Sequence, residues 1–223
     1  MEDYSALQEE LELPFPEELK KLLTHKNLSE ISLRAYEKDN EGSFIFTFSL
    51  TVTNNGLYDY HFWKLICEKN KRVKITPDEL ELHFSYYKEH FLLSEFREGV
   101  TELYFRKKSQ NPDKLVSELY ALHKKTFEDL FAIEKFLHAD LNAVCHYAGG
   151  RFAEGPVSIL KHYYALLEKH NMEPYYYQSE GEKRRGEERA EFFKDYKLVI
   201  LGNTYCIGEN FTFEKDESGK FKK

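Results

Sequence analysis

Along residues 44–53, FIFTFSLTVT, apolar and polar side chains alternate. Phe44, Phe46, Phe48, Leu50 and Val52 share one face, and Thr47, Ser49, Thr51 and Thr53 share the other. A period of two marks a strand with one buried face. The same alternation runs through Ile31, Leu33 and Ala35, and again through Leu80, Leu82, Phe84 and Tyr86. Turn-forming residues separate the runs: DNEG at 39–42, NNG at 54–56 and KNKR at 69–72. Of these, NNG is the strongest hairpin signal. LYDYHFWKLICEK reads as a strand with both faces partly apolar, VKIT and TELYFRKK as short strands, while residues 88–99 show helical spacing through Phe91, Leu92, Glu95 and Phe96. Residues 30–108 are therefore expected to form an antiparallel β-meander of about five or six strands.

Elsewhere the period is helical. PFPEELKKLLTH predicts a short helix over 16–25, with Pro16 at its first position and Glu17 and Glu18 in its first turn. Asn111, Pro112 and Asp113 read as the cap and first turn of an amphipathic helix over 111–138, continuous or broken near Thr126. Its apolar positions are Leu115, Leu119, Leu122, Leu130, Ile133 and Leu137. A second amphipathic helix is predicted over 156–170, with Ile159, Leu160, Tyr163, Leu166 and Leu167 on one side. Residues 141–147 fit a short helix or a short strand. Residues 178–195 mix both charges densely and predict an exposed charged loop or helix. Residues 197–214 predict a C-terminal β-hairpin that joins the sheet.

The fold expected is α+β: one domain over 1–223, the two amphipathic helices covering the apolar face of the meander, with 1–15 and 216–223 frayed. The competing arrangement is a βαβ unit built from 141–147, the 156–170 helix and strand 197–201.

Composition narrows the function. Lys and Arg number 32 against 39 Asp and Glu, a net charge of −7, with the signs finely interspersed. That balance gives no electrostatic reason to bind nucleic acid or an anionic membrane, and a protein partner, if charge selects one, would be basic. The three cysteines, Cys67, Cys145 and Cys206, form no CxxC pair and suit a reducing compartment. The first residues lack a signal-peptide pattern, so a cytoplasmic protein is expected.

Candidate chemistry concentrates in HYAGGRFAEGPVSILKHY, residues 146–163. GRFAEG has the Gly-x4-Gly spacing of a phosphate loop, but Pro156 and Val157 stand where the lysine and hydroxyl must be, which excludes that chemistry. A weaker site remains, formed by the start of the 156–170 helix with His146, Gly149, Gly150, Arg151, Ser158 and Lys161 around a phosphate or carboxylate. The same residues also describe an ordinary turn and helix start. The nine histidines show no metal-ligand spacing, and no metal or cofactor is expected. His138 with Asp140, and Cys145 with His146, are isolated pairs rather than catalytic sets. Tyrosines cluster at HFSYY (83–87) and EPYYYQ (173–178), where they suit core packing or protein contact. The leading expectation is a non-catalytic binding or regulatory module, of an immunity or accessory type, and the alternative is an enzyme or sensor for a small anion at 146–161.

Overall fold

The computed structural model describes residues 9, 10, 12–76, 84–128 and 130–217. In chain order the first elements are β1 (Glu9–Glu10), α1 (Glu17–Leu23), β2 (Leu28–Lys38), β3 (Phe44–Asn54), β4 (Leu57–Glu68), β5 (Arg72–Lys74) and β6 (Phe84–Glu89). There follow α2 (Phe91–Arg97), β7 (Thr101–Phe105), α3 (Pro112–Phe127), α4 (Leu141–His146), β8 (Gly150–Gly155) and α5 (Val157–Lys169). The chain closes with β9 (Pro174–Tyr177), α6 (Glu180–Phe192), β10 (Lys197–Leu201), β11 (Thr204–Gly208) and β12 (Asn210–Lys215). The class is α+β with antiparallel sheets, as the two periodicities predict. Contacts cluster into two compact units. One comprises His90–Lys194, and the other Gln8–Glu89 with Asp195–Lys223.

In the second of these units the strands form two antiparallel sheets. One is ordered β12-β4-β3-β2 and the other β1-β6-β10-β11-β5. The predicted meander is realised in β2–β3–β4. Asn55 (φ 51°) and Gly56 (φ 79°) both take positive φ, which makes the tight turn that NNG announces. Phe46, Phe48 and Leu50 of β3 and Trp63 and Leu65 of β4 pack in one cluster with Val199, Leu201 and Cys206 of the other sheet. The remaining strands of 30–108 leave the meander: β5 and β6 belong to the second sheet, and β7 lies in the other unit. Residues 79–83 of the predicted ELELHFSYY strand lie outside the described residues. At the C-terminal end, β10 and β11 pair as the predicted hairpin, but β12 crosses to β4. The crossing runs through Gly208, where a Cβ would overlap the Cys67 thiol and come within 2.8 Å of the Glu68 carbonyl. The stretch expected to fray is partly packed, since Leu13 is buried and the Phe15 ring lies edge-on to Phe84 and Phe213.

The unit 90–194 is a three-stranded sheet, β8-β7-β9, packed with helices. Asn111 caps α3 by accepting from the Lys114 N–H at 3.0 Å, and Leu115, Leu119, His123 and Phe127 form its buried stripe. The helix stops at Phe127, next to the predicted break near Thr126, so the continuous form of the predicted 111–138 helix is too long. Glu128 takes φ 51°, which breaks the helical path, and the His123 Nε2–H donates to the Phe131 carbonyl at 2.9 Å, holding the chain as it turns away. Only a 3-10 turn at Ile133–Lys135 remains helical beyond that. The helix over 156–170 is present as α5, with the predicted residues buried. Residues 141–146 are helical and β8 runs antiparallel to β7, which removes the βαβ arrangement. The charged 178–195 segment forms α6, opened by a capping box between Ser179 and Glu182. Gly186 of α6 lies against Gly99, and a Cβ on Gly99 would come within 2.6 Å of the Glu182 carbonyl. No described helix is long and apolar enough to cross a membrane.

Candidate functional site

The segment read as a glycine-rich loop is instead the strand β8, and its flanking glycines serve packing. Gly149 fits against the Phe105 carbonyl, and a Cβ on Gly155 would lie 2.8 Å from the Phe136 ring. Gly150 takes φ 125°, which glycine adopts without strain. The outer edge of β8 is covered by residues 136–138. His138 N–H donates to the Phe152 carbonyl at 2.9 Å, and Glu154 N–H donates to the Phe136 carbonyl at 2.8 Å.

A regular strand sends residues three apart to opposite faces. In β8 the register against β7 shifts between Leu103 and Tyr104, an irregularity that leaves Phe152 without a register partner on β7 and returns Arg151 to the side of Glu154. Arg151 Nη1 lies 2.5 Å from Oε1 of Glu102 and 3.1 Å from Oε2 of Glu154. Its Nε–H donates to Nδ1 of His138 at 3.0 Å, so a neutral His138 carries its proton on Nε2. Glu102 also accepts from the Tyr104 hydroxyl at 3.0 Å, and that bond heads the causes that raise the tyrosine pKa.

Beside this cluster is a cavity of about 420 Å³, whose lining includes Glu98, Lys135, His138, Arg151, Glu154 and Arg189. Of the six residues expected to hold an anion, Arg151 alone lines it. His146 places Nδ1 2.8 Å from the Asn142 carbonyl and Nε2 3.5 Å from Asp113. Lys161 is exposed along α5. The start of α5 is already occupied: Pro156 offers no side-chain cap, and Glu98 Oε2 accepts from the Ser158 N–H at 2.9 Å. The Ser158 hydroxyl donates to Ser94 at 2.8 Å. An internal carboxylate thus sits where the helix dipole favours an anion.

No family model, curated protein or solved structure matches this chain. Asp140 caps α4 by accepting from the Ala143 N–H at 2.9 Å. Cys145 is buried, and burial pushes its thiol up to about 12, far from a reactive thiolate. Among the described residues, no group of three or more His, Cys, Asp or Glu side chains is placed to hold a metal ion.

The sequence reading missed Glu98, Lys135 and Arg189. Lys135 reaches Glu95 at 2.6 Å and stands over the Phe131 ring at 4.2 Å. Arg189 Nη1 donates to the Glu95 carbonyl at 3.1 Å. They come from distant, evenly charged stretches, and no linear spacing distinguishes them from solvated residues.

A second surface lies on the other side of β7. The β9 strand is the end strand of its sheet, and Tyr175, Tyr176 and Tyr177 all keep substantial exposure. Tyr175 stacks on Tyr104 at 5.5 Å and lies under the Arg106 guanidinium at 4.7 Å. Tyr176, on the opposite face, stacks on Tyr164 at 4.9 Å, and burial pushes its hydroxyl up to about 12.

Proposed function

We propose that the chain is a non-catalytic protein-binding module of the cytoplasm, and that an extended, basic segment of a partner adds as a strand to the outer edge of β9. The observation that carries this reading is the contrast between β9 and the β2 and β8 edges. The β2 edge is interrupted by two register shifts and carries Glu30, Arg34, Glu37 and Lys38, the usual guards against strand addition. The β8 edge is covered by 136–138. On β9 only Pro174, at its first position, acts as a guard.

Strand addition draws affinity from main-chain bonds and specificity from side chains that alternate across the edge. Here Tyr175 and Tyr177 would contact one face of the incoming segment and Tyr176 the other. Tyrosine supplies apolar area and a polar tip at low entropic cost. The net charge of −7 favours a basic segment through long-range steering.

Selection of extended peptides from a random display library tests the reading. Peptides rich in Lys and Arg are expected to bind the wild type and to lose at least about tenfold in affinity on Tyr177→Lys, which places a like charge on the edge. The melting temperature of that variant should stay unchanged. Selected peptides that bind both proteins equally, or an empty selection, would overturn it.

A further inference from the structure

The cavity beside β8 is not used by the β9 reading, and its charges are unequally committed. Lys135 is paired with Glu95 at 2.6 Å, and Arg151 with Glu102 and Glu154. Arg189 has no carboxylate partner among the described residues. Its one bond runs from Nη1 to the Glu95 carbonyl at 3.1 Å, which positions the guanidinium while leaving its other N–H groups unsatisfied by protein. Glu98 has one oxygen on the Ser158 N–H, and Glu154 has one on Arg151, so each retains a second oxygen with no described partner. His138, with Nδ1 occupied by Arg151, offers a donor at Nε2.

We propose that this cavity binds a small carboxylate that also bears a hydrogen-bond-donating substituent, an ammonium or a hydroxyl, with Arg189 holding the carboxylate. The volume, about 420 Å³, falls within the range of small-molecule sites. A half-buried guanidinium with free N–H groups matches the planar fork of a carboxylate. A dianionic phosphate has the same first attraction but would also face Glu95, Glu98 and Glu154, and one uncommitted cation does not offset two added charges. Those same glutamates suit an ammonium or hydroxyl, for which the free oxygens of Glu98 and Glu154 are acceptors. Phe136, Gly155 and Pro156 supply apolar lining for the body of such a ligand.

The test is titration calorimetry and thermal shift on the full chain with four probe sets: free α-amino acids, α-hydroxy acids, simple monocarboxylates and inorganic phosphate. At least one amino or hydroxy acid is expected to bind, more tightly than the simple carboxylate of the same length, and phosphate is expected not to bind. Arg189→Gln should weaken the best ligand at least about tenfold, the loss of one charged hydrogen bond. Lys161→Ala, outside the cavity, should leave it unchanged. If Arg189→Gln lowers the melting temperature of the free protein, Glu98→Gln decides instead. It keeps an acceptor for Ser158 and should weaken an ammonium-bearing ligand far more than its hydroxyl analogue. Binding by none of the probes, preferential binding of phosphate, or unchanged affinity in both variants would overturn the proposal. The peptide selection on β9 is unaffected by any of these outcomes.

Discussion

Nη1 of Arg151 donates to Oε1 of Glu102 at 2.5 Å across the pairing of β7 with β8. Glu102 is itself paired with Glu154, so two carboxylates stand directly opposite each other with the guanidinium between them. Like charges in that relation destabilise a sheet. Arg151 therefore holds the sheet together as much as it lines a cavity.

Replacing it with an uncharged side chain of similar length, Arg151→Met, is expected to cost about 1–2 kcal/mol, a figure kept small because the pair is partly solvated. Arg151→Met with Glu154→Gln should recover most of that loss, since the repulsion goes with the charge. Urea unfolding of the two variants and the single Glu154→Gln completes the cycle. A loss that Glu154→Gln leaves untouched would show that the carboxylate pair is not what Arg151 offsets.

Gly186 offers a test in which the sign alone decides. In a solvated helix Gly→Ala stabilises by about 1 kcal/mol. At Gly186 a Cβ would overlap the backbone of Gly99, and backbone cannot yield as a side-chain tip does. Gly186→Ala is expected to destabilise by about 1–3 kcal/mol and to make α6 an early site of proteolytic cleavage. A raised melting temperature would refute the close crossing.

Glu98 caps a helix from another element. Glu98→Ala should cost about 1 kcal/mol, as loss of an N-cap does, whereas Glu98→Gln should retain most of the stability because its amide oxygen accepts the same bond. The Ser158 amide resonance reports the difference directly: it should move markedly in the alanine variant and little in the glutamine variant.

Acid stability follows from buried histidines. Burial lowers the pKa of His90 to about 3 and that of His162 to about 4, and it also lowers His123. His90 Nδ1 accepts from the Leu92 N–H at 3.1 Å, and His123 Nδ1 is 2.9 Å from the Tyr163 hydroxyl, so both act as neutral rings. Unfolded, each titrates near 6.5, so below that pH the unfolded chain binds protons the folded one does not. Their contribution is complete above about pH 6.5 and declines as pH falls, by about 1.4 kcal/mol per unit for each histidine, until its folded value is reached. Glu118 adds a second loss at lower pH, since bonds from Lys169 and His170 hold its carboxyl at about 2. Urea midpoints measured from neutral to acid pH should show this slope. His90→Asn, which keeps a capping acceptor, should make it shallower, and an unchanged slope would remove His90 from the account.

Much of the fold was legible locally. Alternation at 44–53 located β3, NNG located its hairpin, and the Asn111-Pro112 pair located the start of α3 to the residue. Each depends on side-chain period or on the φ of one or two residues, which neighbours in sequence already decide. The stop at Phe127 was less legible because Leu130, Ile133 and Leu137 continue the helical spacing after the backbone has left the helix. Those side chains answer to burial, and Leu130 and Ile133 are buried beyond the turn as they would be in a helix. The glycines of 149–155 misled for a related reason. Glycine marks a place where something comes close, and the close neighbours here are the Phe105 carbonyl and the Phe136 ring rather than a ligand.

By itself the sequence determined the class of the protein, the β3 strand with its hairpin, the start of α3, and the absence of a phosphate-loop lysine and hydroxyl. Only the tertiary structure decided which strands share a sheet. An apolar face demands a cover but does not name it, so β6 meets β10 and β12 leaves its hairpin for β4 without any local mark. It also decided what Arg151 and Arg189 do. Arg151 sits in a glycine-rich stretch and Arg189 in a charge-mixed one, but a register shift aims the first at two carboxylates, and a close glycine crossing accompanies the second to a cavity where no carboxylate among the described residues pairs with it. Charge pairing depends on distances across the fold, and those distances are set by packing.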